Sequence, residues 1–187
     1  MENNKKLSHV MVDIETMGTK SNSAILSLAA VEFDIETGET GQEFYEKIDL
    51  QTALDVGLEV SASTILWWLK QNEKARLELA EAKSKSIHQV LVEFSQFVKK
   101  VKPESGPLQV WGNSARFDLG LLDDAYRAIK IEIPWVYWDE RCVRTLVSFA
   151  PGIKKETVFK GDAHNALHDC HHQIEYCHKT WKHLKNK

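Results

Sequence analysis

Apolar and polar residues follow a strand-like pattern in the first part of the chain. Residues 10–14 are mostly apolar and β-branched, and residues 24–33 form an almost continuous apolar run that suits a strand covered on both faces. A glycine-rich turn at residues 38–41 returns the chain through residues 42–49. We therefore expect three antiparallel strands in sequence order, with the first strand free to pair on its other side.

Helical spacing dominates the rest of the chain. Residues 87–101 place apolar side chains on one helical face, and the last helix, over residues 167–184, carries Cys170 and Cys177 on its apolar stripe. The other elements that the pattern predicts are a capped helix over 61–69, a charged helix over 73–83, strands over 108–111 and 134–138, a helix after Ser114, a helix over 141–149 ended by Pro151 and Gly152, and a mobile loop over 154–161. These elements together predict an α/β fold.

Composition bounds the size and the partners of the protein. A chain of 187 residues with 43% hydrophobic content suits one sizeable core, so a single domain over residues 1–187 is expected. The formal net charge of -3 predicts no tight non-specific binding to duplex nucleic acid. The three cysteines form no disulfide framework, and there is no membrane-length apolar run. Residues 1–8 are polar, so no signal sequence is expected. We expect a soluble cytoplasmic protein with no membrane partner.

Two carboxylates lie side by side on the first predicted strand. Because strand side chains alternate, Asp13 and Glu15 project from one face. Two like charges on neighbouring positions of one strand face repel each other, so the pair favours a bound cation. Oxygen ligands suit Mg2+ or Mn2+ rather than zinc. The same letters, Asp-Ile-Glu-Thr, recur at residues 34–37, but that copy runs into the turn cluster and predicts a hairpin end without chemistry.

Two further acids and a histidine extend this candidate site. Asp118 falls in the first turn of a helix near the carboxyl end of a strand, where open α/β sheets gather ligands, although the helix dipole alone also favours an acid there. His164 precedes the last helix, and Asp169 follows five residues later. A histidine at the helix entry and an acid inside the helix can point to one site.

The C-terminal histidines offer an alternative, a zinc-dependent hydrolase. His168 and His172 have the i, i+4 spacing that can hold zinc from a helix. The two cysteines that could complete such a site face the other way, and the chain has no Cys-x-x-Cys or His-Glu-x-x-His element. We therefore interpret His168, His171 and His172 as solvent-facing helix residues.

The four acids and His164 are the residue types that metal-dependent phosphodiester hydrolysis requires. In this reaction two divalent ions stabilise the attacking and leaving oxygens. Asp13 is predicted to bridge both ions. Glu15 and Asp169 are predicted to hold the ion that generates hydroxide, and Asp118 to complete the second. His164 is the candidate general base, because histidine titrates near neutral pH.

Three short motifs lie along the chain in a fixed order: Asp13-x-Glu15, then Asp118 within Trp-Gly-Asn-Ser-Ala-Arg-Phe-Asp, then His164-x4-Asp169. Their order and type resemble the DEDDh 3'-5' exonuclease superfamily, which includes ribonuclease T, oligoribonuclease and the proofreading subunit of DNA polymerase III. A closer resemblance, to the DexA-type and mycobacterial-type exoribonuclease group, rests on the adjacent tryptophans at 67 and 68 and on the Trp-Gly-Asn approach to Asp118 at residues 111–113. The likeness covers residues 10–181.

The resemblance implies a ribonuclease H-like fold, with a five-stranded mixed sheet and helices on both faces. It implies a metal-dependent exonuclease that releases 5'-mononucleotides from the 3' ends of single-stranded RNA or DNA, with RNA slightly favoured. It also implies a possible homodimer, since many relatives are dimers. The rival function is a non-catalytic module that binds 3' ends, but four retained acids would destabilise a protein that no longer bound metal.

Substrate contacts are also implied by this resemblance. Thr16 and Met17 are expected to contact the terminal nucleotide, Trp68 to stack on a base, and Asn113 to contact nucleic acid. Many relatives carry His-Asn a few residues before the Asp of the second motif, whereas this chain has Trp-Gly-Asn at residues 111–113. Backbone contacts at this position are therefore expected to differ.

Overall fold

The computed structural model describes residues 7–80, 84–162 and 164–187. Its strands are β1 (His9–Thr16), β2 (Ile25–Phe33), β3 (Thr40–Lys47), β4 (Gln109–Gly112) and β5 (Glu140–Cys142). Its helices are α1 (Leu50–Asp55), α2 (Ala62–Trp68), α3 (Glu73–Ala80), α4 (Ile87–Val101), α5 (Ala115–Ala128), α6 (Val143–Val147), α7 (Pro151–Glu156) and α8 (Ala166–Lys185). The five strands form one sheet in the order β3-β2-β1-β4-β5.

The sheet combines antiparallel and parallel pairs. β1 pairs antiparallel with β2, and β2 pairs antiparallel with β3, in agreement with the predicted hairpin order. On its other edge β1 pairs parallel with β4, and β4 pairs parallel with β5. The carboxyl ends of β1, β4 and β5 therefore meet at one edge of the sheet, where open α/β sheets gather ligands.

Helices cover both faces of the sheet. Val10, Val12 and Ile14 of β1 lie in one apolar layer with α4 and α5. Met11 points to the opposite face, where it shares a second layer with the two cysteines of α8, as the apolar stripe of that helix predicts. β2 is buried along its whole length, which agrees with a strand covered on both sides.

The long helices α4 and α8 are amphipathic. The Ser86 side chain caps α4 by accepting a hydrogen bond from the Gln89 N–H. The residues of α4 that the helical spacing predicts to face the core are all buried: Ile87, Val90, Leu91, Phe94, Phe97, Val98 and Val101. None of the helices in the described residues combines the length and apolarity needed to span a bilayer.

The strand predicted over residues 134–138 is wrong. The fifth strand is β5, and the chain before it forms a 3-10 turn over Tyr137–Asp139. Aromatic residues favour strands because they fit a half-buried pleated surface, but here Tyr137 is 78% and Trp138 is 63% exposed. Trp135 alone is buried, and its indole N–H donates to the Glu140 carboxylate at 3.1 Å, which holds this segment as a loop.

Two helix boundaries also differ from expectation. Arg141 and Cys142 belong to β5, so the helix predicted from residue 141 begins at Val143. Pro151 starts α7 instead of ending the preceding helix, because a first-turn residue needs no backbone N–H, and the predicted loop is therefore helical up to Glu156. The charged helix predicted over 73–83 is described as α3 over Glu73–Ala80, and its predicted extension over residues 81–83 lies outside the described residues.

Candidate active site

Three carboxylates converge at the carboxyl end of β1. Asp13 and Glu15 occupy alternate positions of β1, and Asp169 lies in the first turn of α8, which packs against β1. One ligand oxygen from each of these side chains lies within 4.8 Å of the other two. The alternation of β1 and the entry point of α8 therefore bring together three of the four acids that the sequence predicts.

The fourth acid, Asp118, lies beside this group in the first turn of α5. It is 3% exposed, and its Oδ2 has no hydrogen-bond partner among the described residues. A Cβ atom added at Gly112 would lie 3.0 Å from that Oδ2, so the glycine at the end of β4 leaves room for the carboxylate. Asp118 is thus placed by a close approach between β4 and α5.

The acids strongly perturb one another. Burial raises the pKa of Asp13 well above its usual value, and the charges of Asp118, Glu15 and Asp169 raise it further. Burial also raises the pKa of Asp118 to about 7, although backbone N–H groups and the positive charge of Arg144 act in the opposite direction. Acids whose pKa values are raised in this way favour a counter-charge between them.

The cluster fits a hard divalent cation. Carboxylate oxygens are the ligands that Mg2+ and Mn2+ prefer, and the unpartnered buried oxygen of Asp118 is suited to direct or water-mediated coordination. Among the described residues, the group formed by Asp13, Glu15 and Asp169 is the one set of His, Cys, Asp or Glu side chains close enough to hold a metal ion. A zinc site built from histidine and cysteine is not formed there.

His164 lies immediately before the Asn165 cap of α8, with a left-handed φ of 65°. Burial raises the pKa of Asp169, and both the charge and the backbone N–H of His164 oppose that rise. The imidazole packs edge-to-face against Trp67 and Trp68, with ring centroids 5.0 and 5.9 Å apart. His164 therefore lies between the carboxylates and the tryptophans of α2.

A cavity of about 430 Å³ opens beside Glu15 and β1. It is lined by Ile14, Glu15, Thr16, Gly18, Thr19, Ser63, Thr64, Trp67, Trp68 and Phe117. A larger cavity of about 710 Å³ lies between α4 and residues 131–136, and none of the predicted site residues lines it. The smaller cavity is the one that adjoins the acids.

The two adjacent tryptophans differ in exposure. Trp68 is 3% exposed, and its indole N–H donates to the Thr16 carbonyl at 3.0 Å, which anchors α2 to β1. Trp67 is 43% exposed and lines the cavity. Both indole rings line the cavity, and Trp67 has the more accessible one. That Trp68 stacks on a base stays a prediction.

The other predicted substrate contacts differ in position. Thr16 lines the cavity, and its hydroxyl donates to the Gly18 carbonyl at 2.7 Å. Met17 is half-buried against the core, and its backbone carbonyl accepts the Ser61 N–H. Asn113 lies outside the cavity lining, with its Oδ1 buried and unpartnered among the described residues. Its role as a nucleic-acid contact stays a prediction.

The prediction that three histidines of α8 face solvent is wrong. All three are half-buried, because each contacts a neighbouring segment of the protein. Their contacts are His168 Nδ1 with the Asp162 N–H at 3.0 Å, His171 Nε2 with the Glu43 carboxylate at 2.9 Å, and the His172 ring with the Phe159 ring at 5.0 Å. The first two ring nitrogens are therefore engaged by neighbouring protein groups.

Gln173 is a site residue that the sequence reasoning missed. Its side chain is 3% exposed, and its Nε2 donates to Asp13 Oδ1 at 2.7 Å. A signal was present, because Gln173 follows Asp169 by four residues and so lies on the same face of α8.

The second Asp-Ile-Glu-Thr copy is a turn, as predicted. Asp34 Oδ1 accepts hydrogen bonds from the N–H groups of Glu36 and Thr37, and Glu36 forms an ion pair with Lys185 at 2.9 Å. Its carboxylates are used in the turn and in an ion pair with α8, and not in the acid cluster.

Comparison with known proteins places this site in a family. The family model for the Rv2179c-like 3'-5' exoribonuclease domain matches residues 8–181, which span all four acids and His164. The chain belongs to this family. It is also 27% identical over 190 residues to an exodeoxyribonuclease of Enterobacteria phage T4, covering 86% of this chain and 83% of the phage protein.

Solved structures share the fold of this exoribonuclease-domain protein. The nuclease domain of 3'hExo, a DEDDh family member bound to rAMP, has a TM-score of 0.64 at 11% identity, covering 98% of this chain and 95% of that one. Cell-death related nuclease 4 has a TM-score of 0.66 at 11% identity, covering 95% of this chain and 65% of that one. The protein thus has the ribonuclease H-like α/β fold of these nucleases, and its family membership identifies it as a 3'-5' exonuclease.

Proposed function

We propose that this exonuclease uses two divalent metal ions, Mg2+ or Mn2+, to remove 5'-mononucleotides from the 3' ends of single-stranded nucleic acid, with RNA preferred to DNA. The observation that carries the proposal is the convergence of the Asp13, Glu15 and Asp169 carboxylates within 4.8 Å, with the buried Asp118 beside them. When bound, the ions would supply a hydroxide nucleophile and neutralise charge at the phosphate.

The acids have separate positioning roles in this proposal. Asp13 lies centrally enough to feel the charges of the other three, which suits a ligand shared between two ions. Glu15 and Asp169 would hold the ion on the side of His164. Asp118 would complete the second from α5, through its unpartnered Oδ2.

His164 would remove the proton from the attacking water. Its imidazole is held against two indole rings while its backbone N–H donates to Asp169, so the ring is kept next to the acids. We expect His164→Ala to slow cleavage by about 100-fold or more, as for loss of a general base. Its stabilisation by Mn2+ in a thermal-shift measurement should remain close to that of the wild type, and near-full activity would assign the proton transfer to another group.

The cavity beside Glu15 suits a terminal nucleotide. Its walls include the polar residues Thr16, Ser63 and Thr64, and the exposed ring of Trp67 could stack on any base. Stacking of this kind requires an unpaired base, which favours single strands. The preference for RNA is supported by the exoribonuclease description of the family, whereas the phage relative is described as an exodeoxyribonuclease.

The decisive experiment is a time course on matched 3'-labelled and 5'-labelled RNA and DNA, single-stranded and duplex, with and without Mg2+ or Mn2+. Immediate release of labelled mononucleotide from the 3'-labelled single strand, together with stepwise shortening of the 5'-labelled strand, is the expected result. Asp13→Asn is the matched negative control. Binding of 3' ends without mononucleotide release at any metal concentration would instead favour a non-catalytic 3'-end module.

A further inference from the structure

Gln173 contacts the acid cluster without being one of the predicted ligands. Its Nε2 donates to Asp13 Oδ1 at 2.7 Å, and the side chain is 3% exposed. It lies one helical turn after Asp169 on α8, so the same helix that supplies one acid also supplies a hydrogen bond to another. Short hydrogen bonds to an ionised carboxylate are among the stronger ones in proteins.

The orientation of the Gln173 amide follows from the chemistry of its partner. As a metal ligand Asp13 would be ionised and would only accept hydrogen bonds, and the amide directs its NH2 group towards it, as such a carboxylate requires. Its Oε1 has no hydrogen-bond partner among the described residues, which means that the bond to Asp13 is the polar contact that orients this buried side chain. This hydrogen bond in turn holds Asp13 Oδ1 in place, and it therefore also determines the direction in which Asp13 Oδ2 points.

We propose that Gln173 is a positioning residue that holds the Asp13 carboxylate in the orientation required for metal binding. The inference rests on the proposed two-metal function. Asp13 is surrounded by three other acids whose repulsion favours rotation of its carboxylate out of the cluster. The Gln173 donor opposes that rotation from the side of the core. Groups that orient metal ligands in this way commonly change metal affinity by about 10–100-fold when they are removed.

The test compares Gln173→Met and Gln173→Asn with the wild-type protein. Methionine nearly preserves the volume but removes the donor, and asparagine retains a buried amide that is one methylene too short to reach Asp13. Thr180→Val is the matched control, because Thr180 is fully buried on the same helix and its Oγ1 has no hydrogen-bond partner among the described residues. Mn2+ binding to metal-free protein is measured by electron paramagnetic resonance of the free ion.

Both Gln173 variants are expected to raise the Kd for Mn2+ by about 10-fold or more, whereas Thr180→Val should stay within about two-fold of wild type. The Mn2+ concentration for half-maximal cleavage should rise in parallel, with a smaller change in kcat at saturating metal. If Gln173→Met does not fold, Gln173→Asn decides. A folded Gln173 variant with a wild-type Kd would overturn the proposal, even if its melting temperature is lower. Absence of Mn2+ binding and of cleavage in the wild type would instead refute the proposed function.

Discussion

Replacing Asp118 with asparagine should stabilise the metal-free protein at alkaline pH. Burial raises the pKa of Asp118 from 3.8 to about 7. The folded state therefore binds more protons than the unfolded state between these values, and the free energy of unfolding falls as pH rises through this window. Each pKa unit corresponds to about 1.4 kcal/mol, so ionisation of Asp118 lowers the free energy of unfolding by about 4 kcal/mol above pH 7. About 3 kcal/mol of this loss develops between pH 5 and pH 8.

Asp118→Asn removes this titrating group while keeping the shape of the side chain. In urea denaturation with a chelator present, the variant should equal or slightly exceed the wild type at pH 5 and be more stable by about 2–4 kcal/mol at pH 8. The control is Asp123→Asn on the same helix, which alters a partly exposed ion pair with Arg127. That change should be small, below about 1 kcal/mol, and nearly independent of pH.

Mn2+ should reverse the order of stability at pH 8, because the wild type gains more binding energy from the metal than the variant. The reasoning would be refuted if Asp118→Asn were no more stable than the wild type at pH 8 without metal. It would also be refuted if the difference between the two proteins did not grow from pH 5 to pH 8.

Further predictions concern the support of the site and the core. Gly112→Ala should push the Asp118 carboxylate by a few tenths of an ångström and lower kcat by about 10-fold, whereas Gly120→Ala, with open space around its Cβ, should leave kcat unchanged; both are measured by steady-state cleavage. Glu32→Ala should lower the free energy of unfolding by about 2–4 kcal/mol in urea, because two backbone N–H groups lose their buried acceptor. Trp67→Ala should raise KM for single-stranded substrate by about 10-fold or more with little change in melting temperature, since its ring is 43% exposed; an unchanged KM would mean that no base stacks there.

Local sequence pattern was sufficient for the elements that carry a strong apolar period. The alternation in β1 predicted which face holds Asp13 and Glu15, and the stripe in α4 predicted every buried residue of that helix. These predictions succeed because burial of an apolar face dominates the energy of such elements. The strand predicted before Asp118 likewise placed this acid correctly, near the carboxyl end of β4.

Prediction failed where long-range contacts, and not local period, decide the structure. The aromatic run before β5 has strand-forming residues, yet Trp135 is held by Glu140 and the next two aromatic side chains point into solvent. The burial of Trp68 is accompanied by a hydrogen bond to the Thr16 carbonyl, which is distant in sequence. A single sequence contains no local signal for either contact.

The position of α8 explains how the core determines the geometry of the site. Cys170, Ile174 and Cys177 bury one face of this helix against the sheet, and the Cys170 thiol lies 3.6 Å from the Met11 carbonyl of β1. Because successive helical residues are about 100° apart, burial of Cys170 and Ile174 directs the residues just before them, Asp169 and Gln173, towards the same edge of that face. Both side chains then meet Asp13 on β1, one as a neighbouring acid and one as a hydrogen-bond donor. A rotation of α8 by one residue would bury polar groups and expose apolar ones, so the packing that stabilises the fold also holds the acid cluster together.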